Sequence, residues 1–95
     1  MSFVLVVEPS AKLDIAHGHA YYAQFDKADA FLAAIDLAFE RVSDQPRQFP
    51  VVYLDVRRAL LRRFPFSVFF IIEGDRVVVL AVHHQHRDPA SRPEP

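Results

Sequence analysis

The sequence predicts an α+β domain of order β-α-α-β-β-β, with a helical hairpin packed on a small antiparallel sheet. Three observations predict it. Two consecutive segments carry small and apolar residues at helical spacing, Ala11-Ile15-Gly18-Tyr22 and Ala28-Phe31-Ile35-Ala38-Val42. The stretch 66–84 is dense in Val, Ile and Phe, the residues that fit a pleated surface. Gly74-Asp75 interrupts that stretch as a two-residue hairpin turn, with Gly first as a type II′ turn demands.

Residues 3–7 form a short apolar run that Glu8-Pro9 ends, and they read as the first strand. The run lacks a basic start and is too short for a signal peptide or a membrane span. A helix then begins near Pro9 or Ser10, because Pro suits a first turn and Ser can cap. Gly18 inside it costs stability relative to Ala, but permits close approach of a second helix. Asp26 reads as the N-cap of that second helix, with acidic Asp29 in its first turn. Leu32 and Phe39 widen its apolar stripe, and it ends before Pro46. The short link between the helices makes them an antiparallel hairpin. Residues 46–50 are a loop. A strand within 53–62 follows, then a break at Phe64-Pro65. A strand over 66–73 pairs through Gly74-Asp75 with a last strand from 76 to 84 or 86.

The chain has 95 residues, one domain's worth. The domain is expected over 1–87, with proline-rich 88–95 as a flexible tail. Hydrophobic residues make up 52% of the chain and nine are Phe, more than one thin core needs. Either the core is dense on both sides of the sheet, or a second chain covers part of it. There is no cysteine, which excludes disulfides, thiolate metal sites and a Cys nucleophile. That agrees with a reducing compartment, and the cytoplasm is the expected location.

A net charge of −1 creates no global field for nucleic acid. The charge is uneven, however. Residues 1–46 hold three basic and seven acidic side chains, whereas 47–95 hold eight Arg, no Lys and five acids. Arg suits a planar grip on carboxylate or phosphate, so the second half is expected to meet an anionic partner.

Hairpin register sharpens the expectation of a partner. With Gly74-Asp75 as the loop, one face carries Phe66, Val68, Phe70, Ile72, Val77, Val79, Ala81 and His83. The other carries Ser67, Phe69, Ile71, Val78, Leu80 and Val82. Both faces are apolar, whereas an antiparallel sheet with one wet face alternates. Two helices cover one face. A partner chain, a dimer mate or the chain's own ends can cover the other; a partner or dimer mate is the expected cover, and Phe69 marks that face.

The second half also carries a distinctive wording. An Arg-rich strand leads to an aromatic corner, Arg63-Phe64-Pro65-Phe66, then the apolar hairpin, then His84-Gln85-His86-Arg87-Asp88-Pro89. Pro9, Ala11, Asp14, Ile15 and Tyr22 match more loosely in the first helix. Together with the element order, these residues resemble the ParE/RelE toxin superfamily over nearly the whole chain. The resemblance implies the toxin of a type II toxin–antitoxin system, of the kind encoded for plasmid stabilisation. Its partner would be a cognate antitoxin that wraps the toxin. ParE-like members inhibit DNA gyrase, and RelE-like members cut messenger RNA on the ribosome.

RNA cleavage by 2′-hydroxyl attack needs a base, an acid and cations on the phosphate. Arg57, Arg58, Arg62 and Arg63 supply positive charge, and His83, His84, His86 and Arg87 are the candidates nearest to proton chemistry. No Tyr follows Tyr53, so the C-terminal Tyr of many RelE-type nucleases is missing. A ParE-like inhibitor without chemistry of its own is therefore the expected function. A RelE-like ribonuclease and a non-toxic binding module of the same fold are the alternatives. The expected binding surface comprises Arg57, Arg58, Arg62, Arg63, Phe69, Arg87 and Asp88. Strict alternation places Arg57 and Arg63 on one face and Arg58 and Arg62 on the other. His84 and His86 share a side, but two imidazoles do not make a zinc site, so neither metal nor cofactor is expected. His84 is expected to anchor the sheet end by bonding the turn at Asp88. Tyr22 is expected in the core and Tyr21 exposed at the end of the helix hairpin.

Overall fold

The fold, obtained as a computed structural model, describes residues 2–86. The elements are β1 (Val4–Val7), α1 (Pro9–Ala23), α2 (Ala28–Asp44), a 3-10 turn (Pro46–Gln48), β2 (Val51–Tyr53), β3 (Val56–Leu60), β4 (Phe66–Glu73) and β5 (Arg76–His84). The strands make one five-stranded sheet in the order β1-β5-β4-β3-β2. β1 runs parallel to β5, and every other pairing is antiparallel. Both helices lie on one face of the sheet. There Phe31, Ile35, Ala38 and Val42 of α2 pack with Ala11 of α1 and with Val68, Phe70, Val77 and Val79 of the central strands.

The predicted helical stripes are the faces that pack. Ala11 and Gly18 are buried on α1, with Ile15 and Tyr22 beside them. The Phe31 ring of α2 lies directly against Gly18. A Cβ built on it would stand 2.5 Å from Cζ of Phe31, and Phe31 has no exposed surface. Gly18→Ala should therefore lower stability by about 1–3 kcal/mol through overpacking. Set against the roughly 1 kcal/mol that Ala gains in helix propensity, the net loss is up to about 2 kcal/mol. A urea midpoint equal to or above wild type would show that the Phe31 ring yields.

Two local expectations change. Asp26 does not cap α2, and Ser10 does not cap α1; the residues at those positions are Lys27 and Glu8. Asp26 sits at φ 58°, in the left-handed region. The Lys27 amide donates to Tyr22 O and the Asp26 amide to Ala23 O. These are the two bonds of a Schellman stop, so Asp26 closes α1 instead of opening α2. Asp tolerates this conformation better than most residues, which is why a capping residue can serve at either end. The second change is an extra strand. The segment expected to begin a strand at Tyr53 is a hairpin, β2–β3, turned at Leu54-Asp55 with Leu54 at φ 48°. A Leu in that conformation gives no turn signal in the sequence.

The largest correction concerns the β4–β5 register. Pairing runs as expected from Glu73↔Arg76 to Phe70↔Val79, and then Phe69 pairs Ala81 instead of Leu80. Leu80 is the extra residue of a β-bulge. Beyond it every side chain of β5 changes face. Val82 turns into the core and His84 joins the helix side, while Ala81 and His83 turn to the far face.

Two polar side chains of α1 occupy the β5 edge at this bulge. β1 ends at Val7↔Val79, and the Glu8 amide donates to Val79 O. Past that point, Ser10 Oγ donates to Leu80 O at 2.9 Å, and the Val82 amide donates to Asp14 Oδ2 at 2.9 Å. Residues four apart on a helix are spaced like residues two apart on a strand, so α1 continues the edge that β1 leaves. Asp14 Oδ2 also stands 3.7 Å from His83 Nε2. Asp14→Ala should leave the Val82 amide unpaired, raise its hydrogen-exchange rate about 10-fold or more, and cost about 1–3 kcal/mol. Asp14→Asn, which keeps an acceptor, should recover most of that protection. Equal exchange in both variants would mean the bulge holds itself.

Candidate functional site

The far face of the sheet carries a row of apolar side chains. Val4 and Val6 of β1, Ile71 and Phe69 of β4, Val78 and Ala81 of β5, and Leu60 of β3 share it by register. No helix of the described residues packs over it. Val78 and Ala81 on this face are buried, whereas Val4 and Leu60 keep 57% and 50% of their surface. Arg58 lies beside Phe69 on this face, exposed, and the Phe69 ring contacts the His83 ring at 5.6 Å.

A second concavity lies on the helix side. It is an open groove of about 800 Å³ between the end of α1 and the facing ends of β4 and β5. Tyr21, Phe25 and Lys27 form one bank, and Pro65, Phe66, His84 and His86 the other. The His84 ring stands 5.3 Å from Phe66 and 5.2 Å from His86, and the His86 amide donates to His84 Nδ1 at 3.1 Å. His84 is thus bonded within its own turn. The expected bond to the turn at Asp88 falls outside the described residues, as do Arg87 and Asp88 themselves. Among the described residues no three His, Cys, Asp or Glu side chains come together in a form able to hold a metal ion.

The Arg residues separate into different roles. Arg57 lies opposite Phe70 on the helix side, and its Nη1 donates to Phe49 O at 2.7 Å and Arg47 O at 3.3 Å. It ties down the loop after α2. Arg58 points to the far face. β3 ends at Leu60, so Arg62 and Arg63 sit in the following turn, with Arg63 at φ 71°, and the expected alternation does not reach them. Tyr22 is in the core as expected. Its ring lies 4.8 Å from Phe64, 5.2 Å from Phe31 and 6.1 Å from Phe66. Burial, and secondarily the neighbouring Tyr21, raise its phenol pKa above 10.0. A raised value in the folded state means its contribution to stability is complete below pH 10 and is lost as the pH rises through the folded value. Tyr21 is half exposed, as expected.

Sequence reading missed Ser10 and Asp14 as positioning residues and did not single out Phe25 and Lys27, which line the groove. Ser10 and Asp14 flank the Ala11-Ile15 stripe one residue off its axis, which was the available signal.

A family model described as ParE toxin of type II toxin–antitoxin system, parDE, matches residues 5–89. The chain belongs to the ParE toxin family. A solved structure titled chromosomal ParDE system from P. aeruginosa is similar in fold. Its TM-score is 0.77 at 21% identity, covering 87% of this chain and 96% of that one. A toxin–antitoxin complex, RelBE2 from Mycobacterium tuberculosis, is also similar, with a TM-score of 0.62 at 19% identity, covering 88% and 99%. No curated protein matches. In this ParE-family toxin the Arg63-Phe64-Pro65-Phe66 corner is structural in its aromatic part. Phe64 and Phe66 close edge-on over Phe31, and the Gln85 amide donates to Pro65 O, joining the corner to the end of β5. No helix of the described residues is long and apolar enough to cross a membrane.

Proposed function

We propose that this ParE-type toxin is neutralised by a cognate antitoxin lying across the far sheet face, and that it inhibits DNA gyrase by binding, without chemistry of its own. The observation that carries the second half is the dispersal of the groups that RNA cleavage needs. His84 and His86 stand on the helix side, Arg58 on the opposite face, and Arg57 is engaged by loop carbonyls. Catalysis requires a base and phosphate-holding cations within hydrogen-bond reach of one substrate. The first half rests on Val4, Leu60, Phe69 and Ile71, an apolar surface on a face no helix of the described residues covers. A short acidic reading frame with a DNA-binding N-terminus is expected beside this one.

One observation favours a second reading, a RelE-like ribonuclease. The bulge brings His83, braced by Asp14, to the same face as Arg58. Two assays separate the readings. Purified toxin should block supercoiling by purified gyrase. Primer extension on RNA from cells expressing it should show no new cleavage sites. New sites lost in His83→Ala, with supercoiling intact, would establish the nuclease instead.

A further inference from the structure

We infer that the groove beside α1 is a second docking site, taking an antitoxin segment that carries a bulky apolar side chain flanked by carboxylates. The inference rests on the proposed antitoxin partnership, and adds to it a site separate from the far sheet face.

The groove is built to hold something apolar. Tyr21, near the end of α1, and Phe25, in the turn that follows it, contact edge-on at 5.4 Å, yet each leaves 54% of its surface exposed. Pro65 and Phe66 face them. Large aromatic side chains with this much free surface on a concave wall are the usual anchor points of a protein interface.

The polar groups decide the charge of the occupant. Among the described residues, Lys27 is the only permanently charged cation in the lining, and His17, His84 and His86 add imidazole groups around the rim. Asp14 is the only carboxylate among those described residues, and its Oδ2 already accepts the Val82 amide and lies near His83. An incoming carboxylate therefore meets donors and one full positive charge. A nucleic acid is the poorer fit. Its backbone needs several Lys or Arg side chains along its track, and the described lining offers one.

The site is tested on the complex of full-length toxin with the antitoxin encoded beside it, with affinity measured by titration calorimetry. Phe25→Asp and Lys27→Glu both change exposed positions, and circular dichroism melts equal to wild type establish that each variant folds. Phe25→Asp should weaken binding about 10-fold or more. Lys27→Glu should weaken it several-fold at low salt, with the loss shrinking as salt rises, and Lys27→Arg should bind like wild type. Affinities within twofold of wild type for both Phe25→Asp and Lys27→Glu would overturn the groove as a docking site while leaving the antitoxin partnership standing. Failure of wild-type toxin to bind that antitoxin would remove both readings. Two other results would also overturn the inference. One is tight binding of a 12-nucleotide single strand that Lys27→Glu abolishes. The other is a dimer of toxin alone that Phe25→Asp converts to monomer.

Discussion

Phe31→Ala should lower the unfolding free energy by about 3–5 kcal/mol, the range for removing a fully buried Phe. Phe31 has no exposed surface, and its ring touches those of Tyr22, Phe64 and Phe66 at 5.2–5.5 Å. It also fills the notch left by Gly18, so truncation opens a gap between the helices. The site cannot collapse easily, because the sheet beneath is held by its own pairing and α1 is tied to β5 through Ser10 and Asp14. Small domains have total stabilities of roughly 5–15 kcal/mol, so the loss takes a large fraction of the total and the unfolding midpoint should fall steeply. Urea denaturation followed by circular dichroism measures this. A loss under about 1 kcal/mol would mean that the aromatic cluster repacks around the space. Phe31→Leu, which retains most of the volume, should lose distinctly less.

Phe69→Asp should abolish the complex with the antitoxin while the fold survives. Phe69 lies in the middle of the far face, opposite Arg58 on β3 and Ala81 on β5, and it is half-buried only by its sheet neighbours. Replacing it removes the largest apolar contact on that surface and leaves a carboxylate that a covering chain would have to desolvate. Central aromatic anchors of interfaces are worth about 2 kcal/mol or more, so affinity should fall at least about 30-fold. Co-purification and calorimetry read the result, and a circular dichroism melt checks the fold. A complex that forms unchanged would move the antitoxin off this face. Combined with Phe25→Asp, the substitution also tests whether the face and the groove act together. Sites on opposite sides of the sheet and without shared neighbours should lose affinity additively.

Much of the architecture is legible from spacing alone. The stripe Phe31-Ile35-Ala38-Val42 faces the core because 3.6-residue periodicity leaves only one way to bury it. The Gly74 turn sets the pairing of the first four residue pairs of the β4–β5 hairpin, since a two-residue loop permits a single register. The two-sided apolar character of the hairpin is likewise a property of the residues, as Val, Ile and Phe occupy both alternations.

The candidate site was less legible. Arg57 and Arg58 are chemically equivalent neighbours, and alternation separates them without saying which one meets loop carbonyls. Phe25 and Lys27 fall outside every periodic stripe and become one bank of a groove only because the α1 stop aims them towards Phe66. Asp26 illustrates the same limit, since a residue able to cap a helix can also end one.

Residue order by itself determined the helical hairpin, the long β-hairpin and the excess of apolar surface, because each follows from local periodicity and turn chemistry. Only the tertiary structure decided which histidine faces which side. The extra residue at Leu80 inverts the end of β5, and Ser10 and Asp14 bond the strand there from some seventy residues away along the chain. Bonds between positions so far apart in sequence leave no local pattern, so the register they accompany becomes visible only once helix and strand are packed together.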